Sequence, residues 1–334
     1  MARRGTCQHR VISGEAEGTA RRTAGALRRP AGFTIVELLV VIGIITILLG
    51  MLMPALARAR RHADAVKCAS NMRQMAAGWL MYANAHGGVM VPARLPNLGA
   101  ANNVYWIGNG ECYRPRWYAL MGAQTGLHAY LVPSPLQSEE NTKAVDDPVF
   151  LCPSVPEQTN SRHYPYGYNH QFLGNARNRD GTPPGVRNPI LFPVNLAKIS
   201  TSQTVMFADS MGTAAGKPAA QRRPYNGNGN VLDHYAMSNH GFTLDPPRLT
   251  PDCDRCDDNF RRGPGGEDNN RSAPDPRHNG RANVAFCDGR VEAMSLQDLG
   301  YVVLPDGSVA ATAIGAHNRW FSGDGEDRDP PPIR

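Results

Sequence analysis

The sequence has no second long apolar run: one uncharged stretch, residues 38–57 (LLVVIGIITILLGMLMPALA), stands alone, and nothing downstream approaches its length. One membrane-spanning helix is therefore expected, and no second one. Strong charge is also missing outside the first segment. The chain has 35 basic and 29 acidic residues, but residues 1–32 hold seven Arg and two Glu, and the remainder, 28 against 27, is close to neutral. No field strong enough to hold a phosphate backbone is left, so no nucleic-acid partner is expected. Three further absences narrow the chemistry. No segment has the twelve-residue calcium-loop pattern, no second C-x-x-C completes a four-cysteine zinc site, and nothing completes a set of nucleophile, base and orienter.

What is present begins with the apolar run itself. Twenty residues at about 1.5 Å each span the roughly 30 Å hydrocarbon core, and the run is too long for the apolar part of a signal peptide. The arginines ahead of it (Arg3, Arg4, Arg10, Arg21, Arg22, Arg28, Arg29) predict a cytoplasmic N-terminus, with the rest of the chain on the far side. Glu37 lies one residue before the run, where a carboxylate is costly without a partner. Pro54 lies inside it and removes one helical hydrogen bond, which favours a kink, while Gly43 and Gly50 offer close-approach points for neighbouring helices.

The residues GFTIVELLVVI at 32–42 resemble the processing motif of type IV prepilins and type II secretion pseudopilins. The resemblance implies that a membrane prepilin peptidase cuts between Gly32 and Phe33 and methylates the new N-terminus at Phe33. Glu37 becomes the fifth mature residue, and in the family this carboxylate pairs with the N-terminal amine of an adjacent subunit and sets the assembly register. Pro54 matches the proline that kinks the pilin stem. The basic leader, residues 1–32, is longer than many prepilin leaders, so the chain is either a long-leader member or starts downstream of Met1.

Beyond the apolar half (33–57), residues 58–86 read as an amphipathic continuation, with Val66, Met72, Met75, Trp79 and Tyr82 as its packing stripe. His86-Gly87-Gly88 and then Pro92 end it, so one stem helix of about 75–80 Å is expected. Residues 87–334 form a β-rich head, with short strands expected at 148–151, 204–208 and 283–286. Residues 245–276 read as an irregular insertion, and the chain from Gly323 onward as a solvated tail. The fold class is α+β: a long N-terminal stem helix packed on an antiparallel β-rich head, as the pilin resemblance also implies.

Near the C-terminus, Asp288-Gly289 sits between two alternating runs and predicts a hairpin with a type I′ tip. His278, nine residues, then Asp288-Gly289 resembles the C-terminal H-x9-D-G signature of a bacterial subfamily of prepilin-like proteins. The segments 202–210, 150–154 and 166–169 are similar to others that recur there. His278 and Asp209 supply half of a metal or acid–base site, although a His opening a strand and an Asp ending one more commonly fix loops. Some pseudopilin heads hold calcium in a C-terminal loop, so calcium in the head is a further implication of the resemblance, with no ligands assigned.

Six cysteines follow the leader. Cys253 and Cys256 form a C-x-x-C that reads as a small loop-closing disulfide, and Cys112 with Cys152 as a second bridge, among fifteen pairings that six cysteines allow. The expectation is a structural subunit rather than an enzyme. It is a single-pass inner-membrane protein whose partners are other pilin-like subunits and the prepilin peptidase/methyltransferase, and its destination is a pilus or pseudopilus. The competing reading is an anchored extracytoplasmic enzyme or binding module that uses the helix only as a tether.

Overall fold

The first element follows directly from the uncharged run. Helix α1 spans Ile35–Ala85 with Pro54 inside it, close to the expected stem. The computed structural model describes residues 32–95, 98, 100–174, 194–247, 249, 269–311 and 314–330. The chain divides into two units, Met1–Pro54 and Ala55–Arg334. In the first, the described side chains of α1 are bare: Ile35 is 78% exposed, Leu39 57% and Ile47 61%. This helix has the length and apolar character to cross a membrane, and none of its apolar window is buried.

In the second unit α1 carries a packed face. Cys68, Met72, Met75, Ala76, Trp79 and Ala83 are fully buried at three- and four-residue spacings. Val66 does not belong to this face. It is 55% exposed, because two residues before Cys68 is more than half a turn around the helix. The helix ends as the glycines predict. Gly88 donates to the Ala83 carbonyl at 2.7 Å and Gly87 to Asn84 at 3.3 Å, with φ of +65° and +85° at Gly87 and Gly88. This is a Schellman closure, which needs a left-handed residue just past the last turn.

Among the described residues the head contains two sheets, both antiparallel. Strands β1 (Val104–Trp106) and β2 (Glu111–Tyr113) form a small ribbon, followed by the short helices α2 (Trp117–Leu120) and α3 (Gly122–Thr125). The main sheet is built from β3 (Tyr166–Tyr168), β4 (Val205–Gly212), β5 (Ala273–Pro274), β6 (Ala282–Phe286) and β7 (Val291–Met294). Its order is β3-β4-β6-β7, with β5 pairing the far end of β4. Helix α4 (His170–Leu173) follows β3. Strand β4 is buried along its whole length, which fits its central place. One core joins α1 to Trp117, Tyr164, Tyr168 and Phe207, and a second lies around Val284, Phe286, Leu299 and Phe321.

The strands expected at 204–208 and 283–286 are present as β4 and β6. Residues 148–151 are not a strand. Pro148–Phe150 is a 3-10 turn, because Pro148 fixes the first φ and the Asp147 carboxylate accepts from Val149 N at 2.9 Å. The Asn71 amide on α1 donates to the carbonyls of Pro148 and Leu151 at 2.8 and 2.9 Å, tying this turn to the helix. Asn71→Ala is expected to lower the unfolding free energy by about 1–2 kcal/mol by removing both hydrogen bonds, readable in urea midpoints. Within the expected 245–276 insertion, Asp245 and residues 270–275 are buried, and β5 lies among them. Much of its remainder lies outside the described residues. The tail also docks in part: Ser200 N donates to the Gly323 carbonyl at 2.6 Å, and Asn318 Nδ2 donates to Arg328 O at 3.0 Å.

Candidate functional site

Two places concentrate chemistry. At the first, Gly32 is exposed and Phe33 is 70% exposed, both just ahead of α1. Glu37 then does something the sequence reading missed. Its carboxylate accepts from Thr34 N at 2.9 Å and from the Thr34 hydroxyl at 2.8 Å, while Thr34 Oγ1 accepts from Glu37 N at 3.2 Å. Thr34-x-x-Glu37 is a capping box that closes the exposed start of the helix. The T-x-x-E spacing before an apolar run was the available signal. The leader to residue 31 lies outside the described residues.

The second place is inside the head, where four elements converge. Helix α1 supplies Cys68, the segment after the 148–150 turn supplies Cys152, the middle of β4 supplies Asp209, and the turn before β6 supplies His278. One donor atom from each lies within 4.8 Å of every other, and all four residues are buried. Cys68 Sγ is 3.4 Å from Asp209 Oδ1, Cys152 Sγ is 3.7 Å from His278 Nε2, and His278 Nε2 is 3.4 Å from Asp209 Oδ2. Around them, Asn283 N donates to Asp209 Oδ2 at 2.7 Å, and the Tyr166 hydroxyl is 3.2 Å from Cys68 Sγ and donates to Leu151 O at 3.1 Å. The Arg277 guanidinium, paired with Asp275 at 3.0 Å, adjoins His278.

Burial pushes the Cys68 thiol well up, reinforced by Cys152 and Asp209. Its hydrogen bond to Cys68 holds Cys152 down to about 5, against burial and helped by His278. Burial lowers His278, but Asp209 and Cys152 outweigh it and raise the imidazole to about 9.

Local sequence explains how His278 is aimed. Residues 278–281 form a tight turn, with His278 N and Arg281 N each bonded to the other residue's carbonyl at 3.0 and 3.1 Å. Asn279 and Gly280 have φ of +55° and +79°, which makes this the type I′ turn. The Asp288-Gly289 hairpin is present between β6 and β7, but its tip is not type I′. Of its loop residues only Gly289 has positive φ, +90°, with Gly289 N bonded to Phe286 O at 2.9 Å and Phe286 N to Arg290 O at 2.8 Å. This is a three-residue loop closed by a left-handed glycine, and Asp288 accepts from Arg290 N at 2.9 Å. His278 thus serves the buried cluster, whereas Asp288 and Gly289 shape a turn.

The structure brings His278 and Asp209 within 3.4 Å of each other, with Cys68 and Cys152 beside them. It does not form the Cys112–Cys152 bridge: both are free buried thiols, since the Cys152 sulfur is directed to Cys68 and His278. Cys253 and Cys256 lie outside the described residues.

Neither a curated protein nor a solved structure matches the chain. Residues 27–53 match the profile of the prokaryotic N-terminal methylation motif, which supports a type IV pilin-like or pseudopilin-like precursor.

Proposed function

We propose that this chain is a prepilin-like structural subunit that is cut between Gly32 and Phe33, methylated at Phe33 and assembled into a type IV pilus or type II secretion pseudopilus. The observation that carries the reading is the methylation-motif match over residues 27–53, which ends within the apolar helix and contains the exposed Gly32–Phe33 junction. Before assembly the apolar part of α1 is stored in the inner membrane, with the N-terminus cytoplasmic and the head beyond it. On extraction, lipid around the helix is replaced by the helices of other subunits, and Pro54 gives the stem the bend it needs to pack. Glu37 then exchanges its capping contacts for the amine of a neighbouring Phe33, which fixes the axial step. Partners are therefore the prepilin peptidase/methyltransferase and other pilin-like subunits.

The test is the intact mass and N-terminal sequence of the protein recovered from membranes of a host with its own prepilin peptidase. A chain that begins at N-methylated Phe33 is expected. A chain that keeps residues before Gly32, or is cut after the apolar run, would overturn the reading in favour of an anchored or secreted domain.

A further inference from the structure

We propose that Cys68, Cys152, Asp209 and His278 bind one zinc ion that locks the Ala55–Ala85 part of α1 to the central strand of the head. Two thiolates, an imidazole and a carboxylate are a complete four-ligand set for a tetrahedral ion of intermediate softness. Calcium takes six to eight oxygens and is a poor match to two sulfurs.

The spacing of the donors is close to that of a coordination shell. With zinc bonds of about 2.3 Å to sulfur and 2.0–2.1 Å to nitrogen and oxygen, a tetrahedron places its corners roughly 3.3–3.8 Å apart. The three donor separations given above, which involve both Asp209 oxygens, are 3.4, 3.7 and 3.4 Å, and one donor from each residue lies within 4.8 Å of every other, so small side-chain rotations bring the four onto such a tetrahedron. The His278 to Asp209 separation is longer than a good N–H···O bond, which closes to 2.7–3.2 Å. A cation at the centre satisfies all four donors at once. Binding releases to solvent the protons still held by the sulfurs and by the His278 imidazolium, so that two thiolates and the Asp209 carboxylate carry three negative charges against the two of the ion, beside a neutral imidazole. The surroundings support two of the ligands: the Asn283 N–H on the carboxylate and the Tyr166 hydroxyl beside the Cys68 sulfur.

All four corners come from protein and all are buried, so no position remains for water or substrate, and the ion is structural rather than catalytic. Its ligands come from four elements spread from residue 68 to residue 278. Closing that loop by a metal adds a cross-link between helix and sheet to the packing already there. The inference is independent of filament assembly.

The experiment is elemental analysis and non-denaturing mass spectrometry of the full-length chain purified in detergent from zinc-supplemented cells. One zinc per chain is expected. Cobalt exchanged into the same protein should show the intense visible bands of a tetrahedral ion with thiolate-to-metal charge transfer. Cys152→Ser and His278→Ala should each lose stoichiometric metal, while Cys112→Ser, whose thiol is buried away from the cluster, should keep it. Because the first two variants can fail to fold, the wild-type stoichiometry and cobalt spectrum decide. A Cys68–Cys152 disulfide found by thiol alkylation and mass, metal-free thiols after purification, or a cobalt spectrum without thiolate charge transfer would each overturn the proposal.

Discussion

Glu37→Gln is expected to abolish incorporation into filaments while leaving the start of α1 intact. Glutamine at the third helical position still closes a capping box with Thr34, so the local structure survives. What it loses is the negative charge that the proposed register contact needs against a protonated amine in a water-poor environment, where charge-assisted bonds dominate. Assembled subunit, measured by immunoblot of the sheared or pelleted filament fraction, should fall roughly tenfold or more. Membrane-bound precursor should be unchanged. Glu37→Ala removes cap and charge together, so comparison of the two separates a capping role from an assembly role. If Glu37→Gln assembles normally, the charge is not used, and the helix is better read as a tether or as a stem whose register is set elsewhere.

The second large effect is expected at Glu140. One of its oxygens meets three guanidinium groups: Arg94 at 2.9 Å, Arg114 at 3.0 Å and Arg116 at 3.4 Å, all with side chains 13% exposed or less. Burial raises the Glu140 carboxyl, but Arg116, Arg94 and Arg114 outweigh it and hold it below its ordinary value. Burial in turn lowers Arg116 to about 10. Removing the shared anion leaves three positive charges crowded in a low-dielectric pocket, so Glu140→Ala should cost about 3–5 kcal/mol of stability, measured by denaturant unfolding. The pH dependence has a definite sign. A carboxylate whose folded pKa is depressed contributes fully above its unfolded value, near 4.5, and its contribution is lost as pH falls through the lower folded value. Wild type should therefore lose more stability than Glu140→Gln on acidification from about pH 5 to about pH 3. Parallel curves for the two proteins would show that the arginines do not depend on this charge.

The contrast between Glu37 and Glu140 also shows how far a linear reading reaches. Glu37 stands out in sequence because a carboxylate beside twenty apolar residues needs an explanation. Glu140 lies in a polar stretch and draws no attention until the fold brings Arg94, Arg114 and Arg116 around it. The same divide separates Cys253-x-x-Cys256, conspicuous as a motif, from Cys68 and Cys152, which look like ordinary helix and loop cysteines and lie together at the heart of the head.

Local physics settled the rest of what was legible. An unbroken apolar run, a T-x-x-E start and a Gly87-Gly88 stop depend only on neighbours a few residues away, so they determine α1 from Ile35 to Ala85 without reference to the head. Turn chemistry is local too. Even so, the type I′ turn fell at Asn279-Gly280 rather than Asp288-Gly289, because the bonding of Phe286 to Arg290 leaves three residues in the second loop. Periodicity already set Met72, Met75 and Trp79 on the buried face of α1; tertiary structure decided the edge of that face, with Cys68 in it and Val66 out of it, and which pieces of chain supply the four donors. Those choices depend on the register of β4 against β3 and β6, a long-range packing property. Sequence spacing carries no record of it, because residues from 68 to 278 become neighbours only when the cores close.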